Sequence, residues 1–309
     1  SRTPSMYHLL SHTDLTQGVL YPQGGFAAVM DVLFNLAVDQ GARFRFNTEV
    51  AAIEDEGILL IDGQRLPADL IISAADLHHT ETRLLPKNKR TYDESWFAPR
   101  DPGLGTVLVM LGVEGEIPQL AHHNFLFSDD WSDDFDAVFN GPVASRPQAA
   151  SQSIYVSKPS ATDPSVAPAG HENLFVLVPV PADPSVGHGD MYRGEASEQV
   201  QRIADAAIEQ IAARCGVAGL GRRIVVKQTL GPADFAERYN AWSGGSIGPA
   251  HTLRQSAFLR GSNKSRKAGN LLYAGATTTP GVGVPMCLIS AENVLKRIRA
   301  DRSSGPLQA

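Results

Sequence analysis

The sequence is poor in cysteine and has no excess of positive charge. Its only two cysteines, Cys215 and Cys287, match no metal-binding or disulfide spacing. A disulfide framework or a zinc site is therefore not expected, and a reducing compartment is the default. The formal net charge is −6. Because a nucleic-acid-binding face would be basic, no nucleic-acid partner is expected.

Long hydrophobic runs are also missing. No apolar stretch approaches the roughly 20 residues that span a bilayer, and the opening SRTPSMYHLL lacks the apolar core of a signal peptide. The sequence starts without methionine, so we expect further chain before it. With 43% hydrophobic and 19% charged residues over 309 positions, it has the composition of one large globular domain or two ordinary ones.

Clustered metal ligands are scarce as well. The pairs His78-His79 and His122-His123 lack cysteine or carboxylate partners at standard spacing, and adjacent residues on a strand face opposite sides. No metal site is expected. The aspartates between 129 and 136 lack the central glycine and closing glutamate of a calcium loop. They are expected to form a solvated acidic loop.

Residues 18–76 have the pattern of an α/β unit. Gly24-Gly25 precede a helix predicted from Phe26 to Gln40, with Gly41 at its C-terminal end. A turn at Asp62-Gly63 is expected to join the last two of four strands. The predicted strands are Arg43–Phe46, Glu49–Ile53, Ile58–Ile61 and Ala68–Ser73.

The middle of the chain is richer in strands and long polar loops. An amphipathic helix is predicted over Glu195–Arg214. The predicted strands are Thr106–Val113, Ser153–Val156, Leu174–Val180 and Arg223–Thr229. The last forty residues return to a strand, a glycine loop and a helix, and we expect the first and last parts of the chain to share one sheet.

This order predicts an α/β (α+β) protein in which a discontinuous cofactor domain is interrupted by a mixed-sheet substrate domain. The cofactor domain is predicted over 18–80 plus 262–300, and the substrate domain over 1–17 plus 81–261.

Glycine-rich turns indicate where backbone can approach a ligand. The strand at Leu271–Ala274 leads into AGATTTPGVGVP and then a helix, whose N-terminus favours an anion or an electron-rich ring. YPQGG at Tyr21–Gly25 has the same character, although local evidence slightly favours an ordinary turn before a helix. TEVAAI at 48–53 and LIISAAD at 70–76 are read as plain core strands on local grounds.

These segments, taken together, resemble the bacterial and fungal phytoene desaturases, the carotenoid desaturases of the FAD-dependent amine-oxidase-like superfamily. The resemblance covers nearly the whole chain. It rests on GVLYPQGGFAAV, SAAD, LLP, HHNFLF, SIYVSKPSATDPSVAPAGHENLFVLVPVP, RQSAFLRGSNKS and AGATTTPGVGVP, in that order.

The resemblance implies a partial Rossmann-like FAD-binding domain and a set of cofactor contacts. Tyr21, Gly24 and Gly25 are implied to enter the flavin and substrate region, Val50 to lie beside the adenine, and Ala75 and Asp76 to lie nearby. The residues implied to lie against the flavin ring are Gly275, Thr278, Pro280, Gly281, Gly283, Val284 and Pro285.

The sequence departs from the family pattern at several positions. Thr277 and Thr279 stand where a glycine and a histidine are usual, Met286 replaces a glycine, and Gly261 replaces a proline. The Gly-x-Gly-x-x-Gly turn that holds the FAD pyrophosphate is not found, since GGSIG at 244–248 follows no strand. We therefore expect the C-terminal portion of the enzyme, inactive and unable to hold FAD tightly by itself.

The implied reaction is hydride transfer from a linear carotenoid such as phytoene to FAD. No catalytic residue is assigned; Arg254, Gln255 and Arg260 are polar candidates by position. Strands 106–113 and 174–180 are expected to form the floor of a hydrophobic substrate tunnel. A cytoplasmic protein in peripheral membrane contact is expected. Much of its apolar patch is expected in the missing part of the protein and near helix 195–214, although packing of this helix on the substrate sheet is the favoured alternative. The sequence does not identify the electron acceptor, which is either a quinone or oxygen.

Two alternatives accompany this interpretation. One is another flavin oxidoreductase of the superfamily: a carotenoid isomerase or ketolase, or an amine oxidase. The other is a non-catalytic remnant that keeps only the fold.

Overall fold

The computed structural model describes residues 3–307. Its helices of four or more residues are α1 His8–Gln17, α2 Gly25–Asp39, α4 Glu94–Phe97, α5 Trp131–Asn140, α6 Glu198–Cys215, α7 Leu220–Arg223, α8 Pro232–Arg238 and α9 Val284–Ile298, with a shorter turn, α3, at Leu77–His79. The strands are β1 Val50–Glu54, β2 Gly57–Leu60, β3 Arg65–Pro67, β4 Ile71–Ser73, β5 Leu104–Glu114, β6 His123–Leu126, β7 Ile154–Ser157, β8 His171–Pro181, β9 Ile224–Leu230 and β10 Leu271–Tyr273.

The chain forms two compact, discontinuous units. The first contains Arg45–Gly103 and the described residues from Phe235 onward, and the second contains Ser5–Phe44 and Leu104–Asp234. Residues 18–44 therefore group with the large sheet, and residues 81–103 and 235–261 group with the glycine loop. The assignment of cofactor and substrate roles to the predicted domains stays a prediction.

The first unit is built on two small sheets. β1, β2 and β3 form an antiparallel sheet, while β4 pairs in parallel with β10. The parallel pair confirms that the first and last parts of the chain share a sheet. Large apolar side chains, including Ile53, Phe97 and Leu271, pack into one core beneath these strands.

One buried carboxylate lies in that core. Glu81 is fully buried, accepts the backbone N–H of Tyr92 at 3.0 Å and accepts the hydroxyl of Tyr273. Burial raises its pKa against the opposing effect of these hydrogen bonds.

Two strand predictions between residues 43 and 73 were wrong. The Asp62-Gly63 turn joins β2 to β3 and does not lead into the strand at 71–73, because Arg65–Pro67 folds back on β2. Residues 43–46 form no strand in the described structure. The apolar alternation of that segment is too short to fix a pairing partner.

The second unit is dominated by a five-stranded sheet in the order β6-β7-β8-β5-β9. Where a mixed sheet was expected, every pairing in it is antiparallel. α6 covers one face, packing Val200, Ile203 and Ile211 against alternate residues of β5 and β8 such as Val109 and Val176. The period of two along each strand therefore produces one fully buried face and one half-buried face.

The acidic segment was also predicted wrongly. α5 occupies Trp131–Asn140, and Asp130 caps its N-terminus by accepting the N–H groups of Ser132 and Asp133. Asp134 points inward, where its carboxylate accepts Arg146 Nε at 2.8 Å and the hydroxyl of Ser153 at 2.6 Å. A local composition rich in aspartate did not reveal this partner twelve residues along the chain.

The other predicted elements lie close to the observed ones. The helices at 26–40 and 195–214 and the strands at 106–113 and 174–180 agree with α2, α6, β5 and β8 to within a few residues. Within residues 3–307, no helix combines the length and apolar character needed to cross a membrane.

Candidate functional site

The glycine loop connects β10 to α9 in the first unit. Gly275, Gly281 and Gly283 have φ values of 109°, 145° and 111°, which favour glycine. The Thr279–Pro280 peptide bond is cis. α9 then begins at Val284, with Pro285 in its first turn, where a missing N–H costs no helical hydrogen bond.

Two polar side chains outside the loop hold its shape. Asn263 is buried and donates through Nδ2 to the carbonyl of Thr279 at 2.9 Å and to the hydroxyl of Ser290 at 3.0 Å. Ser290 in turn accepts the backbone N–H of Gly275 at 3.0 Å. Sequence reasoning did not single out Asn263 or Ser290, although Asn263 lies within the quoted RQSAFLRGSNKS motif.

The residues that depart from the family pattern have structural partners. Thr277 accepts the N–H of Leu77 at 3.0 Å, and the hydroxyl of Thr279 donates to the carbonyl of Gly261 at 3.1 Å. A Cβ at Gly261 would lie 2.3 Å from a methyl carbon of Leu77. This neighbour makes glycine the residue that fits here.

Two of the polar candidates have backbone partners in the same unit. Buried Arg260 donates to the carbonyl of Ala276 at 3.2 Å and so braces the glycine loop. Gln255 donates to the carbonyl of Asp101 at 2.7 Å and accepts that residue's N–H at 3.0 Å. Arg254 lies in the short 3-10 turn Leu253–Gln255.

The N-terminus of α9 leaves room for a flat ligand. A Cβ built on Gly283 would meet no atom of the described chain within 4 Å, and Val284 is 42% exposed. No side chain of the described residues caps this helix. Its first N–H groups and the positive end of its dipole therefore face open space, and these features fit an electron-rich ring such as a flavin.

The carboxyl ends of β4 and β10 meet beside this loop. A Cβ on Gly275 would lie 3.6 Å from the carbonyl oxygen of Ala74, and Ala74 is followed by the predicted contacts Ala75 and Asp76. In open α/β sheets ligands bind outside the carboxyl ends of parallel strands. The loop and the end of β4 therefore border the same edge.

Asp76 has a structural role that the sequence did not reveal. Its carboxylate accepts the N–H groups of His78 at 2.8 Å, His79 at 3.3 Å and Trp242 at 3.3 Å. Burial raises the pKa of this carboxyl, and the three N–H donors oppose that rise. Val50, the first residue of β1, is half-buried and pairs with Leu60.

The remaining predicted contacts lie in the second unit. Gly24 and Gly25 have φ values of 79° each and form the turn that starts α2. The carboxylate of Asp163 accepts the N–H of Gly24 at 2.8 Å. The ring of Tyr21 packs edge-on against His122 at a centroid distance of 4.6 Å. Burial, followed by the charge of Asp163, raises the pKa of Tyr21.

Asp163 is the residue of this turn that sequence reasoning missed. It belongs to the Thr-Asp-Pro element of the longest motif, so the motif marked it without showing its partner. Hydrogen bonds from the Ser165 hydroxyl and the Gly24 N–H lower its pKa, so it is a carboxylate at neutral pH.

The two histidine pairs have different partners. His78 Nε2 lies 3.1 Å from a carboxylate oxygen of Glu94, whereas the second pair contacts neutral hydroxyl groups. His122 Nδ1 lies 2.7 Å from the Thr162 hydroxyl, and His123 Nδ1 lies 2.7 Å from the Tyr155 hydroxyl. Burial, with a further effect of His123, lowers the pKa of His122. Across residues 3–307, no group of three or more His, Cys, Asp or Glu side chains could hold a metal ion.

Solved structures share the fold of this chain. An oxidoreductase from Methanosarcina mazei superposes with a TM-score of 0.56 at 17% identity, covering 89% of this chain and 55% of the other. A redesigned putrescine oxidase superposes with a TM-score of 0.52 at 14% identity, covering 88% and 52%. At these identities the likeness shows a fold of the oxidoreductase type alone.

The chain belongs to the family of flavin containing amine oxidoreductases, whose model matches residues 1–298. It is 40% identical to the carotenoid 3,4-desaturase of Haloarcula japonica, over 97% of this chain and 58% of that protein. It is 32% identical to the phytoene desaturase of Fusarium fujikuroi, over 96% and 54%. The resemblance to carotenoid desaturases is thus confirmed, as is a flavin cofactor for the family. The chain spans little more than half the length of these relatives.

Proposed function

We propose that the protein to which this chain belongs is an FAD-dependent desaturase of a linear carotenoid such as phytoene. The observation that carries the proposal is the glycine loop held by Asn263 and Ser290, with open space at the N-terminus of α9. FAD, rather than another flavin, is proposed from the resemblance to the carotenoid desaturases.

The residues of the loop would position the flavin and stabilise its charge. A bound flavin supplies the acceptor for a hydride from the substrate. Gly283 leaves the space for the ring, and the N–H groups at the start of α9 stabilise negative charge on it. Asn263 and Ser290 hold the loop that leads into α9, through the carbonyl of Thr279 and the N–H of Gly275, so little reorganisation of the loop would be required when charge develops.

The half-buried face of the large sheet suits an apolar substrate. Leu108 and Met110 on β5 lie opposite Leu177 and Phe175 on β8, all on the face away from α6. This apolar face supports the proposed floor of a substrate tunnel, because transfer of a hydrocarbon from water to such a surface lowers the free energy.

Peripheral membrane contact and a cytoplasmic location are part of the proposal, with a quinone or oxygen as electron acceptor. The contact would not use the apolar residues of α6. The apolar residues of α6 are buried against the sheet, so this helix has no apolar face to offer a bilayer.

Substitution of Gly283 tests the function. Gly283→Val in the complete enzyme, supplied with FAD, should abolish pigment formation from phytoene, because valine rarely adopts φ near 111° and would occupy the ring's space. Gly269→Val is the matched control: that glycine also has no neighbour within 4 Å and has no positive φ.

Two results would oppose the proposal. Turnover of an amine together with no reaction on any linear carotene would make the protein an amine oxidase. A complete protein that binds no flavin would make it a non-catalytic member of the family.

A further inference from the structure

A row of aromatic rings lies on the surface of the second unit. We call it the aromatic row: Phe125, Phe127, Trp131, Phe135 and Phe139. Successive ring centroids are 5.8, 5.0, 6.2 and 6.4 Å apart. Trp131, Phe135 and Phe139 recur every four residues on one side of α5, spanning about 12 Å along its axis.

Each ring of the row remains open to solvent. Their exposed fractions lie between 42% and 63%. Scattered apolar residues are ordinary on a surface, but a contiguous apolar patch marks a binding site. The row borders a cleft of about 250 Å³ that is lined by apolar side chains including Val138, Ile154 and Leu177.

The row continues the half-buried face of the large sheet. Phe125 lies opposite Tyr155 across β6 and β7, with ring centroids 5.2 Å apart, and Tyr155 lies opposite Leu177 on β8. Leu177 belongs to the apolar face proposed above as the substrate floor. A long apolar chain on that floor can therefore extend without interruption onto the rings of α5.

We propose that the aromatic row binds one end of a linear, uncharged, conjugated hydrocarbon chain. This inference rests on the proposed function and extends its substrate site from the sheet onto α5. Flat rings in a line match an extended polyene, which offers π-surface and no hydrogen-bonding group. Because each ring already lies beside the next, at centroid distances of 5.0 to 6.4 Å, little side-chain order has to be gained on binding.

The charges around the row favour this ligand over a membrane surface. α5 contains Asp133, Asp134 and Asp136 and no lysine or arginine, and Asp130 caps it. Two guanidinium groups contact this region: Arg146 pairs with the buried carboxylate of Asp134 at 2.8 Å, and Arg214 donates to the carbonyl of Phe127 at 2.7 Å. The carboxylates of Asp130, Asp133 and Asp136 therefore leave the exposed part of α5 acidic. A surface-bound amphipathic helix is usually rich in lysine and arginine, and anionic headgroups would repel this one.

Diphenylhexatriene is the probe for the test, because it is a linear, neutral, conjugated hydrocarbon. It absorbs where tryptophan emits, so binding should quench Trp131 and increase probe fluorescence in a saturable manner. The measurement uses this chain without flavin. Trp131→Phe should reduce the quenching, because it removes the tryptophan that belongs to the aromatic row and keeps an aromatic ring there.

The double variant Phe135→Ala/Phe139→Ala should weaken probe binding at least about tenfold, the loss of two aromatic contacts. Phe258→Ala is the matched control, since Phe258 is 83% exposed and lies in the other unit. Unchanged circular dichroism shows that a variant has folded. If the double variant does not fold, the single variant Phe127→Leu replaces it, and it should bind the probe more weakly than the unchanged chain does.

Three outcomes would overturn the inference. The double variant could bind the probe as well as the unchanged chain. The row could instead mediate flotation with vesicles of phosphatidylcholine and phosphatidylserine, which would make it a membrane contact. It could also mediate dimerisation measured by sedimentation.

Assays of the complete enzyme separate this inference from the proposed function. Probe binding without any desaturation would reject the proposed function alone. Desaturation with an unchanged KM in the double variant would reject the role of the aromatic row alone.

Discussion

Asp163 shows how one side chain can fix a turn far away in the sequence. The chain contains Asp-Pro-Ser-Val twice, at 163–166 and 183–186, and in both copies the aspartate caps a short 3-10 turn through the serine N–H. Asp163 in addition accepts the N–H of Gly24, whereas Asp183 accepts the N–H of Ser185 within its own turn. The second copy is therefore a natural control for the first.

Replacing Asp163 by alanine should loosen the turn at 21–25. Hydrogen exchange of that segment should become at least several-fold faster, because the Gly24 N–H loses its acceptor. Asp163→Asn, which keeps an acceptor oxygen, should restore part of the protection. Asp183→Ala should leave segment 21–25 unchanged. Equal acceleration by the two alanine variants would mean that both act through general destabilisation.

The hydroxyl of Ser290 should matter to the shape of the glycine loop. Ser290→Ala removes the acceptor of the Gly275 N–H inside a buried site and should cost about 1–3 kcal/mol of unfolding free energy. Ser303→Ala, at an exposed serine in the same unit, should cost much less. Urea unfolding measures both. A cost for Ser290→Ala no larger than that of the control would contradict the assigned role.

At the scale of elements, periodic segments could be predicted and partner-dependent ones could not. β5, β8 and α6 repeat their apolar residues with a clear period and were predicted within a few residues. α5 was missed because the inward-facing residue that anchors it, Asp134, is charged, and its partner Arg146 is not visible from local pattern. β6 is short and was read only as part of a motif.

The candidate site divides in the same way. The positive φ of Gly275, Gly281 and Gly283 agrees with the spacing of glycines after a strand. The hydrogen bonds of Asn263 and the capping role of Asp76 depend on residues distant in sequence, Ser290 and Trp242, and so required the structure. The cofactor roles of the site residues remain predictions that a flavin complex would test.

The stability of the large sheet should depend on the buried face of α6. Ile211 is fully buried between the helix and the sheet, so Ile211→Ala should cost about 2–5 kcal/mol. Arg202→Ala on the exposed face of the same helix removes only an i,i+4 pair with Glu198 and should cost at most about 0.5 kcal/mol. Urea unfolding of the second unit, followed by circular dichroism, separates the two. Equal costs would mean that α6 does not support the sheet.

For the whole molecule, acid should change the stability contributions of two buried carboxyl groups, one in each unit, in opposite directions. In the second unit, the pKa of Asp134 lies well below its usual 3.8: burial raises it, but hydrogen bonds from Ser153, the Gln152 N–H, Arg146 and Ser128 outweigh that effect. The stability that Asp134 contributes is therefore complete above about pH 4 and is lost as pH falls further. In the first unit, burial raises the pKa of Glu81 above 4.5, so the folded state gains stability as pH falls through that raised value toward 4.5.

Acidification from about pH 7 to pH 3 should accordingly unfold the second unit before the first. Peptide-resolved hydrogen exchange, corrected for the intrinsic rate at each pH, follows residues 104–234 and 45–103 separately.

Asp134→Asn should make the second unit less stable at neutral pH, because the buried guanidinium of Arg146 loses its carboxylate partner. It should also reduce the dependence of this unit's stability on pH below about pH 4. Asp136→Asn, on the exposed side of α5, should keep the full acid response. Loss of protection in the first unit before the second would mean that other groups outweigh these two buried carboxylates.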